Sequence, residues 1–257
     1  MIVSDLLPER TTMTSASHAA AVRTAASRAS RLALCAAAPL LAALLPAAHA
    51  ADAADYPSRP VRIIVGFAPG GSADLTARSV AQELTKRLGQ TFVVENRSGA
   101  SGMIGAEAVA RAPADGYTLY EATMTTHGIG PNLYKKIPYD PVESFEPVAL
   151  MVQIPLVLFA HTSVGAGNVK ELVALLKANP QKYRYSSAGN GSPPHLAAEL
   201  FKLKAGVDIL HVPFKGAAPA LIDVAGGHTQ VAFGSTSSTL PHLRTGKLRA
   251  LGLGGRV

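Results

Sequence analysis

The sequence predicts an α/β protein made of two successive units, each a sheet with helices. The first observation is that β-branched, apolar runs alternate with segments of helical period from Tyr56 to the end of the chain. The second is that glycine-rich turns, such as Pro69–Ser72 and Ala188–Ser192, stand between a run and the helical segment that follows it. No repeat of short period is visible, which excludes a solenoid.

The first fifty residues predict a secretory signal peptide. Arginines in a Ser- and Ala-rich stretch precede the uncharged apolar run Leu32–Ala48, and Ala48-His49-Ala50 has the form of a cleavage site. The run is interrupted by two prolines and is short for a membrane span, which needs about 20 residues. We therefore expect export across the inner membrane with cleavage after Ala50.

The first unit is predicted to follow the order βαβαβ, an open parallel sheet. Ser72 has the residue type of an N-cap for the first helix, Gly89 ends that helix, and Asp74 and Arg78 have the spacing of an i, i+4 ion pair. The predicted strands are Val61–Phe67, Thr91–Glu95 and Tyr117–Thr123, and the second helix is Met103–Arg111.

The second unit is predicted to alternate strands and helices in the same way, and Ser192 is expected to cap one of its helices. The predicted strands are Pro155–Ala160, Tyr183–Ser187, Asp208–Phe214, Thr229–Phe233 and Leu248–Leu253. The predicted helices are Val169–Ala178, Pro193–Lys204, Ala217–Ala225 and Thr239–Arg244.

Composition excludes several classes of protein. The 257 residues carry a net charge of +7, but the basic residues are scattered, Trp is absent and aromatics are only 5%, so nucleic-acid binding is not expected. Cys35, the only cysteine, lies in the predicted signal peptide. The cleaved chain would then form no disulfide and no cysteine-based zinc or catalytic site.

Two turns carry the informative chemistry. Ala68–Ser72 and Ser187–Ser192 each lie between the carboxyl end of a strand and the amino end of a helix, where backbone N–H groups and the helix dipole favour an anion. Glycine there would let the backbone approach the anion. An ordinary tight turn explains each of them equally well, as it does Gly99–Gly102, and neither matches a nucleotide-binding motif.

Catalytic arrangements are poor, so the chain is not expected to be an enzyme. No nucleophile elbow of the form G-x-S-x-G is present. His195 and Glu199 have the spacing of two metal ligands on a helix, but no third ligand accompanies them, so His195 is better explained as a helix-start residue. We expect no metal and no cofactor.

The sequence motifs of the chain resemble those of one family, the substrate-binding proteins of tripartite tricarboxylate transporters (the Bug or TctC-like family). The resemblance extends from about Tyr56 to Leu251, with the motifs in order. The matching motifs are Tyr56-Pro57-Ser58-Arg59-Pro60, Ala68-Pro69-Gly70-Gly71, Glu95-Asn96-Arg97, Asp115-Gly116-Tyr117-Thr118-Leu119, Tyr139-Asp140-Pro141, Ser187-Ala188-Gly189-Asn190-Gly191-Ser192 with His195-Leu196, and His211-Val212-Pro213-Phe214-Lys215-Gly216.

The resemblance implies a periplasmic, type II-like Venus-flytrap fold that delivers a small carboxylate to membrane permease subunits, as a monomer. It also implies which residues grip the ligand. These are Phe67, Ala68, Pro69, Gly70, Gly71, Ser72 and Asp74 in one jaw, and Thr125, Thr126, His127, Ser187, Ala188, Gly189, Asn190, Gly191, Ser192, His195, Pro213, Lys215 and Gly216 in the others, with Gly234 and Ser235 where the family often has Asp-Asn.

Family members continue for several tens of residues beyond Leu251, so the resemblance implies a chain truncated at its C-terminus. The expected organisation is a signal peptide at 1–50, lobe one at 51–152, lobe two at 153–249 and the start of a return to an incomplete lobe one at 250–257. Two other functions stay open: a periplasmic ligand sensor for a signalling partner and, more remotely, an exported hydrolase or isomerase.

Overall fold

A computed structural model describes residues 56–254 of the chain. The predicted signal peptide and the last three residues lie outside the described residues. Helices and two sheets alternate along the described part, so the predicted α/β class is confirmed. Within residues 56–254, no helix is both long and apolar enough to cross a membrane.

The first sheet has three parallel strands in the order β2-β1-β3. Its elements are β1 (Val61–Val65), α1 (Ser72–Leu88), β2 (Phe92–Asn96), α2 (Met103–Ala110) and β3 (Thr118–Glu121). The predicted βαβαβ order is therefore confirmed. Alternate residues of β1 pack with Phe67 and Ala77 into a core beneath α1, because successive side chains of a strand face opposite sides.

Helix α1 ends where the sequence predicts. Lys86 and Arg87 in its last turn suit the negative end of the helix dipole, and Gly89 takes the left-handed conformation that closes the helix. After β3 the chain forms a π-helical turn, Met124–Ile129, and a short helix α3 (Gly130–Leu133) that the sequence does not predict. Residues 135–155 then follow without helix or strand.

The second sheet has five strands in the order β6-β5-β7-β4-β8. Strand β5 is parallel to β6 and β7, whereas β4 runs antiparallel to β7 and β8. Its elements are β4 (Leu156–His161), α4 (Val169–Ala178), β5 (Arg184–Ser187), α5 (Pro193–Ala205), β6 (Leu210–Pro213), α6 (Ala217–Ala225), β7 (Val231–Ser235), α7 (Thr236–Arg244) and β8 (Leu248–Leu253).

The predicted lobe boundaries stay a prediction. However, the predicted end of lobe two, residue 249, does not coincide with the end of the second sheet. Strand β8 pairs with β4 through Leu253, and its first residue, Leu248, is buried against α6 and α7. Residues 250–253, which the sequence assigns to a return segment, therefore lie in the second sheet. The main core of that sheet surrounds the fully buried side chains of Tyr185, Leu172 and Leu176.

Candidate functional site

The loop that follows β1 meets the loop that follows β6. The N–H of Ala68 donates a hydrogen bond to the carbonyl of Lys215 over 3.0 Å. A Cβ placed on Gly71 would lie 3.5 Å from the Cβ of Ala217 and 3.6 Å from its backbone nitrogen. Both loops leave the carboxyl ends of parallel strands, where ligands settle in open α/β sheets. The structure thus brings together two of the predicted jaws, Phe67–Ser72 and Pro213–Gly216.

The amino end of α1 has no side-chain cap. Ser72, predicted as the N-cap, is instead the first helical residue, and the cap position falls to Gly71. The prediction was wrong by one residue, because the chain is extended at Gly71 (φ −80°, ψ 172°) and helical from Ser72 onwards, so the helix begins one residue earlier than a cap at Ser72 would place it. The N–H groups in the first turn of a helix have no acceptor within the helix itself. In α1 no group among the described residues accepts a hydrogen bond from them.

The amino end of α6 faces the same place and is also uncapped. Its N-cap is Gly216, which has no side chain, and Ala217 and Ala218 present their N–H groups beside Gly71. Two positive helix ends therefore converge, at the amino ends of α1 and α6. Such an arrangement favours an anion between them.

Asp74 fixes the first turn from behind rather than lining it. Its carboxylate is buried and accepts hydrogen bonds from the N–H of Gly70, from Arg78 and from the side chain of Asn96, all at 2.9–3.0 Å. Burial alone would raise the pKa of Asp74, but the bonds from Arg78, Gly70 and Asn96 outweigh it and lower that pKa. The predicted ion pair with Arg78 is confirmed.

Three N–H groups of the turn from Ser187 to Ser192 donate to acceptors in the turn or in the first turn of α5. Gly189 N–H donates to the Ser187 hydroxyl (3.1 Å), Gly191 N–H to Nδ1 of His195 (3.1 Å), and Ser192 N–H to the Gly189 carbonyl (3.1 Å). The N–H groups of Ala188 and Asn190 have no acceptor within residues 56–254. The second turn is thus a poorer source of donors than the amino end of α1.

Ser192 caps α5 as the sequence predicts. Its hydroxyl accepts from the N–H of His195 (3.4 Å) and donates to the carbonyl of Gly189 (2.7 Å). The side chain is only 1% exposed, so it is directed into the turn. Both of its hydrogen bonds go to the backbone of the turn and of α5.

A stack of three rings supports the second turn. His195 lies on His211, with 4.3 Å between ring centroids, and His211 lies on Tyr185, at 4.7 Å. Nε2 of His211 is 2.7 Å from the Ser187 hydroxyl. Burial lowers the pKa of His195, and burial followed by the charge of His195 lowers the pKa of His211 to about 4, so both rings are neutral near pH 7.

The predicted Thr125–His127 segment forms part of the π-helical turn after β3. Thr125 and Thr126 are buried, and the Thr126 hydroxyl is 2.9 Å from Nδ1 of His127. The His127 ring packs edge-on against Phe145, at 4.8 Å between centroids, and burial lowers its pKa. The methyl group of Thr126 and the Phe67 ring both lie within contact distance of Gly102, which places this segment beside the first turn.

Two shallow concavities lie elsewhere on the molecule. One of about 350 Å³ runs along α1 and β2, and one of about 330 Å³ lies between α6 and α7. Neither lies between Gly71 and Ala217. Among residues 56–254, no three His, Cys, Asp or Glu side chains converge as metal ligands.

Comparison with known proteins decides the family. The sequence profile described as the tripartite tricarboxylate transporter family receptor matches residues 76–256. The chain belongs to this receptor family. The resemblance drawn from the motifs is therefore confirmed.

Relatives of this receptor share both sequence and fold with it. Protein BugT of Bordetella pertussis is 40% identical over 199 residues, which is 77% of this chain and 61% of BugT. An R. palustris protein solved with adipate is 38% identical, with a TM-score of 0.76 over 77% of this chain and 67% of that one. MatC of Rhodopseudomonas palustris, solved with malate, is 33% identical, with a TM-score of 0.73 over 78% and 68%.

The chain spans less than two thirds of its first curated relatives, 61% of BugT and 65% of a second B. pertussis protein. Similarity to these receptors and to periplasmic binding protein BugD, which is 37% identical, establishes the two-sheet fold.

Close packing surrounds Gly234, which stands where the family often has Asp. A Cβ on Gly234 would lie 2.7 Å from Oγ1 of Thr239 and 2.9 Å from the Phe159 ring, closer than real Cβ contacts. No acidic side chain fits there in this packing. The Ser235 hydroxyl is 2.7 Å from that of Ser238, at the start of α7.

Sequence reasoning did not include Ser101 and Tyr134 in the candidate site, but both lie beside its second turn. Ser101 lies in the third glycine-rich turn, which the sequence left open between an anion-binding turn and an ordinary loop, and Tyr134 directly follows the unpredicted helix α3. The hydroxyl groups of both lie against the second turn. The sequence shows only that Tyr134 follows a stretch containing glycine and proline. That pattern does not indicate a site.

Proposed function

We propose that this chain is a periplasmic receptor that captures a small carboxylate between its two sheets and hands it to the permease subunits of a tripartite carrier. It acts as a monomer and carries out no reaction. The observation that carries this proposal is the meeting of two uncapped helix ends, those of α1 and α6, beside Gly71 and Ala217. Membership of the receptor family supports the same role.

The donors at the two helix ends suffice for a useful affinity. A dissociation constant of about 1 μM requires roughly 8 kcal/mol of binding free energy. A hydrogen bond to a charged group contributes about 1.5–3 kcal/mol, so four or five such bonds reach that value. The N–H groups of Gly71, Ser72 and Ala73 on one side, and of Ala217 and Ala218 on the other, are the candidates.

The ligand class follows from charge and from relatives. Backbone N–H groups and two positive helix ends suit a carboxylate without requiring an arginine. Two related receptors were solved with adipate and malate, both dicarboxylates. We therefore propose a dicarboxylate or a related organic acid as the ligand.

A thermal-unfolding screen tests the proposal. The protein is heated with adipate, malate and citrate, and in parallel with adipamide, which has the shape of adipate without its charge. A ligand at about 100 times its dissociation constant adds about 2.7 kcal/mol of stability. We expect a raised melting temperature with at least one carboxylate and none with adipamide. Stabilisation by sugars or amines alone would contradict the carboxylate assignment.

A further inference from the structure

The third glycine-rich turn of the chain has an unusual backbone. Four successive residues, Gly99 to Gly102, have positive φ angles of 145°, 45°, 54° and 93°. Two of them, Ala100 and Ser101, are not glycine, and residues with a side chain are disfavoured in the left-handed region. Such a conformation persists only where the surrounding structure holds it, and it concentrates at functional sites.

The side chain of Ser101 connects this turn to the other sheet. Its hydroxyl lies 3.3 Å from the hydroxyl of Tyr134, which in turn donates to the backbone carbonyl of Asn190 over 3.3 Å. Because the Tyr134 proton goes to Asn190, the Ser101 hydroxyl is the donor to Tyr134. The two hydroxyls therefore form a relay from the Gly99–Gly102 turn to the Ser187–Ser192 turn.

The Asn190–Gly191 peptide group is held at both ends. Tyr134 binds its carbonyl oxygen, and Nδ1 of His195 accepts its N–H. A peptide group is planar, so these two bonds fix its rotation. The N–H of Asn190 belongs to the preceding peptide group, and it has no acceptor in the described part of the chain.

Packing reinforces the relay on both sides. A Cβ on Gly189 would lie 3.1 Å from the Ser101 hydroxyl, and one on Gly191 would lie 2.6 Å from Cδ2 of Leu133. The backbone of the second turn thus lies against Ser101 itself and against Leu133, the residue before Tyr134. Only a turn without side chains at these two places approaches so closely.

We propose that Ser101 and Tyr134 are positioning residues that lock the second turn against the first sheet and so set one wall of the ligand site. They act through the backbone of Asn190. The inference rests on the proposed function, since the wall matters only if a ligand binds between the sheets. Nothing in the relay depends on which carboxylate binds.

Amide hydrogen exchange of the ligand-free full chain tests the lock directly. Tyr134→Phe removes the hydroxyl and keeps the ring, whereas Tyr117→Phe makes the same change at the amino end of β3, away from the turns. We expect exchange within residues 187–192 to become about two- to tenfold faster in Tyr134→Phe, the effect of losing one hydrogen bond. It should be unchanged in Tyr117→Phe.

Ser101→Gly separates positioning from stability. Glycine relieves the left-handed backbone, so this variant should melt no lower than the wild type while residues 187–192 exchange faster. Both variants should also bind adipate or malate about two- to tenfold more weakly than Tyr117→Phe, through faster dissociation.

Unchanged exchange in both Tyr134→Phe and Ser101→Gly would overturn the inference. So would equal affinities of wild type and both variants for a carboxylate that the wild type binds. Faster exchange without carboxylate binding by any form would uphold the lock and contradict the proposed function.

Discussion

Two buried acids, Asp74 in helix α1 and Glu121 in strand β3, have opposite surroundings. Asp74 has three hydrogen-bond donors around its carboxylate, and its pKa is lowered. Glu121, at the end of β3, is 6% exposed, and its Oε2 has no hydrogen-bond partner within residues 56–254. Burial raises the pKa of Glu121 to about 8, so the folded protein holds it protonated at neutral pH.

Glu121 should make stability depend on pH. The folded state disfavours the charged form, so its contribution is fully present below about pH 4.5 and is lost as the pH rises towards 8. Between pH 5 and pH 8 we expect roughly 2–4 kcal/mol of unfolding free energy to be lost. Glu121→Gln should abolish most of this loss, as measured by urea unfolding at several pH values.

Glu95→Gln is the matched control. Hydrogen bonds from Arg97 and Arg62 lower the pKa of Glu95, so Glu95 stays charged throughout pH 5–8. Its replacement should therefore leave the dependence of the unfolding free energy on pH unchanged. If the unfolding free energy of Glu121→Gln depends on pH as steeply as that of the wild type, Glu121 is not held protonated.

Gly191 should matter for binding in a way that other left-handed glycines do not. Its φ is 73°, and an added Cβ would displace Leu133 at 2.6 Å, whereas Gly206 has a φ of 63° with nothing within 4 Å. Gly191→Ala and Gly206→Ala should each lose about 1 kcal/mol of stability from the backbone alone. Only Gly191→Ala should also bind carboxylate at least about tenfold more weakly by calorimetry.

Equal affinities of the two alanine variants would show that the second turn does not border the ligand.

One glycine of the first turn, Gly71, has a different backbone conformation. Gly71 has an ordinary φ of −80°, so its backbone conformation alone does not require glycine. A Cβ added to Gly71 would meet the Ala217 side chain at 3.5 Å, an ordinary van der Waals distance.

At the scale of the element, helix caps distinguish α5 from α4. Ser192 caps α5 and also binds the Gly189 carbonyl, whereas Asn168 caps α4 by accepting from the N–H of Glu171, away from the turns. Ser192→Ala and Asn168→Ala should each reduce the free energy of unfolding by about 1 kcal/mol. Ser192→Ala alone should weaken carboxylate binding, because it also loosens the second turn. Loss of affinity in both variants, or in neither, contradicts this.

Elements with a local signal were predictable from the sequence. Val169–Ala178 and Ala217–Ala225 have the predicted bounds, since an apolar stripe and end signals coincide there. The π-helical turn and α3 were not, because Gly128, Gly130 and Pro131 interrupt the helical period. Antiparallel pairing of β4 was also invisible, since a buried apolar run carries no sign of strand direction.

The candidate site was predictable only in part for a similar reason. The turn at Ala68–Ser72 is local and was found from its glycines. Its partner, the amino end of α6, came only from the family resemblance, because a lone Gly216 before a helix is not distinctive. The relay through Tyr134 depends on contacts between distant segments, and no local pattern encodes them.

At the scale of the whole molecule, the two sheets touch through loops that are also the candidate ligand site. The Ala68–Lys215 hydrogen bond and the Tyr134–Asn190 hydrogen bond each join a loop of the first sheet to a loop of the second. A ligand bound between these loops would add bonds to both sheets at once. The central claim is that a carboxylate is held in this way.

Amide hydrogen exchange with and without a saturating carboxylate tests this claim most directly. Candidates are adipate, malate and whichever acid raises the melting temperature most. We expect the ligand to slow exchange simultaneously at the amino end of α1, residues 70–74, and at the amino end of α6, residues 215–218. Protection confined to one sheet, or centred on the concavity lined by Arg78 and Phe92, would contradict the account.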